Sequence, residues 1–64
     1  MKITVNGHPL HIDDDSLMAT LKQVGAQAPY ALAINGEFVP QSMHDDYHLQ
    51  AGDSLELLSP IQGG

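Results

Sequence analysis

The sequence predicts a two-layer α+β domain, a mixed five-stranded sheet with one main helix across one face. Three observations carry that prediction. Asn6-Gly7 and Asn35-Gly36 each sit between apolar, strand-like runs, and Asn-Gly is the strongest short hairpin signal because both residues tolerate positive φ. A short stretch from Ser16 to Gly25 has helical periodicity, and the run Ser54 to Leu58 alternates as a strand does.

Met1 to Asn6 alternates between apolar Met1, Ile3 and Val5 and polar Lys2 and Thr4. A turn at Asn6-Gly7 sets Val5 opposite His8, Ile3 opposite Leu10 and Met1 opposite Ile12. Opposed residues share a face, so the apolar side chains of both strands fall together. Asp13-Asp14-Asp15-Ser16 breaks the second strand. Ser16 is the expected N-cap, and the aspartates complement the positive helix start. Leu17, Met18, Leu21 and Val24 are expected on the buried face, with Gly25 as the stop.

Gln27-Ala28-Pro29 connects to Tyr30–Ile34, whose almost continuous apolar character suggests a strand buried on both faces. A turn at Asn35-Gly36 sets Leu32 opposite Val39 and Ala33 opposite Phe38. Leu32, Ile34 and Val39 then point to the core, with Ala33 and Phe38 pointing away. Gln41 to Gln50 reads as an irregular polar segment containing a 3₁₀ turn, anchored by Leu49. Ala51-Gly52-Asp53 is a turn. In the final strand Leu55 and Leu57 face inward, and Glu56 and Leu58 outward.

The chain has 64 residues, eight acidic residues against two lysines, no cysteine and a net charge of −6. A domain this small has no room for both a core and a substrate cavity, so a self-sufficient enzyme is not expected. Without cysteine there is no disulfide, thiolate metal site or thiol nucleophile. The acidic surface disfavours nucleic acid and suits steering towards a basic protein surface. No signal stretch or membrane-length apolar run occurs, so a soluble, cytoplasmic protein with no membrane partner is expected.

The last six residues, Ser59-Pro60-Ile61-Gln62-Gly63-Gly64, are the candidate functional segment. Pro60 cannot donate to a ladder and marks the end of pairing. From there the chain could reach roughly 15 Å from the body. Gly63 and Gly64 form the narrowest backbone a protein can offer, tipped by a carboxylate that is the candidate reactive group. Metal and nucleophile readings are set aside. His44 and His48 lack a third ligand and sit beside Asp45-Asp46 in what reads as a solvated loop; His8 and His11 fall on opposite strand faces. Ser16 is explained by capping and has no triad partners.

The order β-β-α-β-β-β with a free tail resembles ubiquitin-like β-grasp domains, giving residues 1–59 as the domain and 60–64 as a flexible Gly-Gly tail. The resemblance becomes more specific at Ala31-Leu32-Ala33-Ile34-Asn35-Gly36 followed by Phe38-Val39-Pro40. Ala51-Gly52-Asp53-Ser54-Leu55-Glu56-Leu57-Leu58 and the closing Ser59-Pro60-Ile61-Gln62-Gly63-Gly64 extend it. These segments resemble the ThiS family of thiamine-biosynthesis sulfur carriers along essentially the whole chain. One departure is Gln41, where such families often place a basic residue.

The resemblance implies a protein-bound sulfur donor rather than an enzyme. A ThiF-like adenylyltransferase, using ATP and Mg²⁺ of its own, would join AMP to the Gly64 carboxylate. A persulfide donor protein would convert it to a thiocarboxylate, and a ThiG-like thiazole synthase would take the sulfur. Gly63 would provide clearance, and Phe38, Leu58, Ile61 and Gln62 are the candidate partner contacts. Two other functions stay open: a carrier for molybdopterin or another thioacid pathway, and a ubiquitin-like modifier or binding module.

Overall fold

The computed structural model describes residues 1–27 and 29–58. Its elements are β1 (Lys2–Val5), β2 (His8–His11), α1 (Leu17–Gln23), β3 (Ala31–Ile34), β4 (Glu37–Phe38), a 3₁₀ turn (Gln41–Met43) and β5 (Ser54–Leu58). The sheet runs β2-β1-β5-β3-β4. β5, the last described strand, therefore lies in the middle, parallel to β1 and antiparallel to β3.

Both hairpins have the register that their Asn-Gly turns dictate. Ile3 faces Leu10 and Val5 faces His8, while Met1 and Ile12 exchange backbone hydrogen bonds of 2.7 and 2.8 Å. Ala33 faces Phe38, and the Val39 N–H donates to the Leu32 carbonyl at 2.8 Å. Asn6 and Asn35 sit at φ 52° and 54°, followed by Gly7 and Gly36 both at 83°. Positive φ at both central positions is what a type I′ turn requires, and its twist matches the strands it joins.

Hydrogen-bonded pairs alternate along an antiparallel ladder, so the Met1–Ile12, Ile3–Leu10 and Val5–His8 pairs exchange bonds. Pro9, opposite Thr4, lies between them with its nitrogen towards the open edge. A residue without an N–H there blunts the edge against further pairing.

The buried core comprises Ile3, Ile12, Leu17, Leu21, Leu32, Ile34, Val39, Leu49 and Leu55, with α1 packed on one face of the sheet. Ser16 caps the helix as expected, its Oγ accepting from the Ala19 N–H at 3.3 Å. The expected helix face needs correction. Leu17 and Leu21 are buried, but Met18 and Val24 are exposed and Thr20 is buried in their place. Positions 17, 20 and 21 follow the i, i+3, i+4 stripe that one contact line requires. Met18 lies about 100° round from Leu17, and Val24 is already the C-cap. The aspartates sit just before the cap, beside the positive helix start. Asp14 accepts from the Ser16 N–H at 2.9 Å, and Asp15 meets His48 at 3.2 Å.

β3 is not buried on both faces. Leu32 and Ile34 are buried, Ala33 is half-buried and Ala31 is exposed. The small outward alanines made an alternating strand look continuously apolar. Tyr30 precedes this strand and stacks on His44, with ring centroids 6.0 Å apart and planes 8° from parallel. His44 is therefore not part of a solvated loop: it is buried, and its Nε2 donates to the Val39 carbonyl at 2.9 Å. Aromatic stacking and that bond draw the ring in, while its Nδ1 has no partner. Leu49 anchors the segment from within the core.

Candidate functional site

Ser59, Pro60, Ile61, Gln62, Gly63 and Gly64 lie outside the described residues, as does Ala28. The expectations for the tail therefore fall there, and the structure bears on the platform that precedes it. That platform is β5. Leu55 pairs with Val5 on one side and Ile34 on the other, and Leu58, the last described residue, pairs with Ala31.

The two turn asparagines hold this strand from both sides. Asn6 follows β1, and its N–H donates to the Leu55 carbonyl at 2.8 Å. One step further along β5, its side chain replaces the backbone that has turned away. The Leu57 N–H donates to Asn6 Oδ1 at 2.8 Å, and Asn6 Nδ2 donates to the Leu57 carbonyl at 3.3 Å. The primary amide thus imitates one more peptide group of β1 and satisfies both polar groups of Leu57. Asn35 does the same at the start of β5. Its N–H donates to the Ser54 carbonyl at 2.8 Å, its Oδ1 accepts from the Ser54 N–H at 3.0 Å, and its Nδ2 donates to Asp53 Oδ1 at 3.0 Å. Sequence reasoning assigned both asparagines to turns and missed the clamps. Their signal was the choice of Asn over Asp at both positions, since only an amide can donate and accept.

On the helix-free face, Phe38 and Leu58 are both outward, with relative exposures of 68% and 65%. The register places Phe38 beside Ala33, Ala33 beside Glu56, and Leu58 beside Ala31. The alanines leave the two large side chains standing proud, with the Glu56 carboxylate at the margin. Neither side chain is needed by the core, which lies on the other face.

The remaining candidates separate. His44 is turned to Val39 and His48 to Asp15, so the pair at i, i+4 does not converge. Among the described residues, no group of three His, Cys, Asp or Glu side chains could hold a metal ion. An open groove of about 520 Å³ is lined by Lys2, Ile3, Thr4, Ala51 and Gly52, a set with no acid–base pair. No helix among the described residues is long and apolar enough to cross a membrane.

A five-stranded mixed sheet in this order, grasping one helix and with its last described strand at the centre, defines a ubiquitin-like β-grasp protein. The family to which the chain belongs is ThiS, whose profile matches residues 3–64. Two solved structures are similar to it. One is a crystal structure of the thiamine biosynthesis protein ThiS from Geobacter metallireducens, 30% identical, covering 100% of both chains with a TM-score of 0.81. The other is an NMR structure of a thiamine biosynthesis protein from the same organism, 26% identical, covering 100% of this chain and 88% of that one, also at 0.81. No curated protein matches the chain. Family membership supports a sulfur-carrier role, in line with the resemblance of the Ala31–Pro40 and Ala51–Gly64 segments.

Proposed function

We propose that this chain carries sulfur for thiazole formation in thiamine biosynthesis, with the C-terminal carboxylate of Gly64 as the loaded group. The observation that carries the reading is the ThiS-family match running through Gly63-Gly64, on a body whose clamped central strand leads into that segment. A carboxylate is a poor electrophile because its negative charge is shared over both oxygens. Attack by its oxygen on the α-phosphorus of ATP expels pyrophosphate and creates an acyl-adenylate with AMP as leaving group. A protein persulfide then displaces AMP, and thiol cleavage of the resulting acyl disulfide leaves the thiocarboxylate. The thiazole synthase takes that sulfur and returns the carboxylate.

In this scheme the ThiF-like adenylyltransferase, the persulfide protein and the ThiG-like synthase do the catalysis, and ATP and Mg²⁺ belong to the first of them. Residues 60–64 act as a tail separate from the 1–59 domain. Gly63 supplies clearance, Ile61 and Gln62 contact the channel walls, and Phe38 and Leu58 dock on an apolar patch with a basic rim to meet Glu56. A few side chains desolvated at the centre of an interface carry most of its binding energy, and Phe38 is the larger of the two anchors here.

ATP–pyrophosphate exchange by the adenylyltransferase tests the first step. Exchange is expected only when this chain is present. Phe38→Asp should raise the KM for the chain about tenfold or more at unchanged kcat, the loss of one buried anchor. Exchange without the chain contradicts the carrier role; a normal KM for the variant contradicts the docking face alone.

A further inference from the structure

We propose that Asn6 is a site of spontaneous covalent modification, deamidating through a succinimide, and that Asn35 is protected from the same reaction by Asp53. Both asparagines precede glycine, the residue whose missing side chain least obstructs attack by its backbone nitrogen on the preceding Asn side chain. In that step the Gly nitrogen loses its proton and bonds to the Asn Cγ, and the side-chain nitrogen leaves as ammonia. Water then opens the five-membered imide at either carbonyl, giving aspartate or isoaspartate. The net change is water in and ammonia out, with no oxidant or reductant.

The two sites form a matched pair. Each is an Asn-Gly turn after a β-branched residue, Val5 or Ile34, with Asn φ of 52° or 54° and Gly φ of 83°. Each Asn backbone N–H makes a 2.8 Å bond to a β5 carbonyl. They differ at the leaving nitrogen. Asn6 Nδ2 donates to the neutral Leu57 carbonyl at 3.3 Å, whereas Asn35 Nδ2 donates to the Asp53 carboxylate at 3.0 Å. Reaching the attack geometry breaks these bonds, and a bond to an ionised acceptor is roughly twice as strong as a neutral one. The Asp53 charge also opposes the negative charge that builds on the attacked Asn35 side chain. Asn6 has neither protection.

Modification at Asn6 strikes the clamp on β5. Aspartate keeps an acceptor for the Leu57 N–H but puts an anionic oxygen where the Leu57 carbonyl needs a donor. Isoaspartate lengthens the backbone by one carbon and removes the side chain from register. Either product loosens β5 just before residues 59–64.

The test is to incubate the intact protein at mildly alkaline pH and follow both sites by peptide mapping, scoring the mass gain of about 1 Da and the isoaspartate product. A parallel sample in concentrated urea supplies the intrinsic rates. The two sites should react at similar rates in urea. In the folded protein Asn6 should react roughly tenfold faster than Asn35, the factor separating a charged from a neutral hydrogen bond. Asp53→Asn should bring Asn35 up towards the Asn6 rate. Equal native rates, faster reaction at Asn35, or no reaction at Asn6 on the timescale of the urea sample would each overturn the proposal.

Discussion

Gly63→Ala is expected to reduce adenylation of Gly64 by about a hundredfold while leaving the thermal unfolding midpoint where it is. The size follows from geometry. In the proposed reaction the carboxylate would meet the α-phosphorus in line, and a displacement of about 1 Å at a reacting centre costs about that factor. A Cβ one residue from the carboxylate, in a partner channel shaped for bare backbone, would force such a displacement. Stability should not follow, because among the described residues the buried core lies between Ile3 and Leu55. Pyrophosphate exchange kinetics and a melting curve on the same preparation separate the two effects. Normal exchange would remove the clearance argument, and a lowered midpoint would show that the substitution acts on folding.

Leu55→Ala should do the reverse, with a large effect on folding. Leu55 is 1% exposed and sits on the central strand, opposite Val5 and Ile34. Replacing a fully buried leucine by alanine costs about 2–5 kcal/mol, through lost transfer energy and the cavity left behind. A domain of this size has roughly 3–10 kcal/mol to lose. The variant is therefore expected to unfold at far lower denaturant concentration, with a measurable unfolded population in water at 25 °C. Phe38→Ala, by contrast, should shift stability by no more than about 0.5 kcal/mol, because its side chain contributes nothing to the core. A wild-type denaturation midpoint for Leu55→Ala would mean that β5 is not the organising strand.

The readable parts of the fold were those controlled by local rules. Asn-Gly twice demanded positive φ twice, and the two-residue turns then fixed every cross-strand partner within the two hairpins, including Leu32 with Val39, while the partners of β5 were not readable. Ser16 announced the helix start and Leu49 the anchor of the long connection. What was not readable depended on neighbours far along the chain. Met18 is as apolar as Leu17 and nothing local says which of them the sheet will cover. Thr20 is buried by its position on the contact stripe despite its hydroxyl. Tyr30 and His44 stack across 14 residues of sequence, so the aspartates beside His44 misled. The asparagine clamps on Leu57 and Ser54 were hidden for the same reason, since Asn6 meets a residue 51 positions away. Of the candidate site, Gly63-Gly64 was legible as a motif but lies outside the described residues, and the outward placement of Phe38 and Leu58 followed from strand parity alone.

The most direct test of the carrier reading is to locate sulfur on Gly64. The protein is incubated with the adenylyltransferase, Mg·ATP and a sulfide or persulfide source, treated with a thiol alkylator, and sequenced by fragmentation mass spectrometry. Fragmentation is required because oxidation of Met1, Met18 or Met43 changes the intact mass almost as oxygen-for-sulfur exchange does. The chain has no cysteine, so no native thiol competes for the alkylator. An ATP-dependent alkyl adduct confined to Gly64 is expected. An adenylate that never becomes a thiocarboxylate, or isopeptide-linked products on lysines, would contradict it.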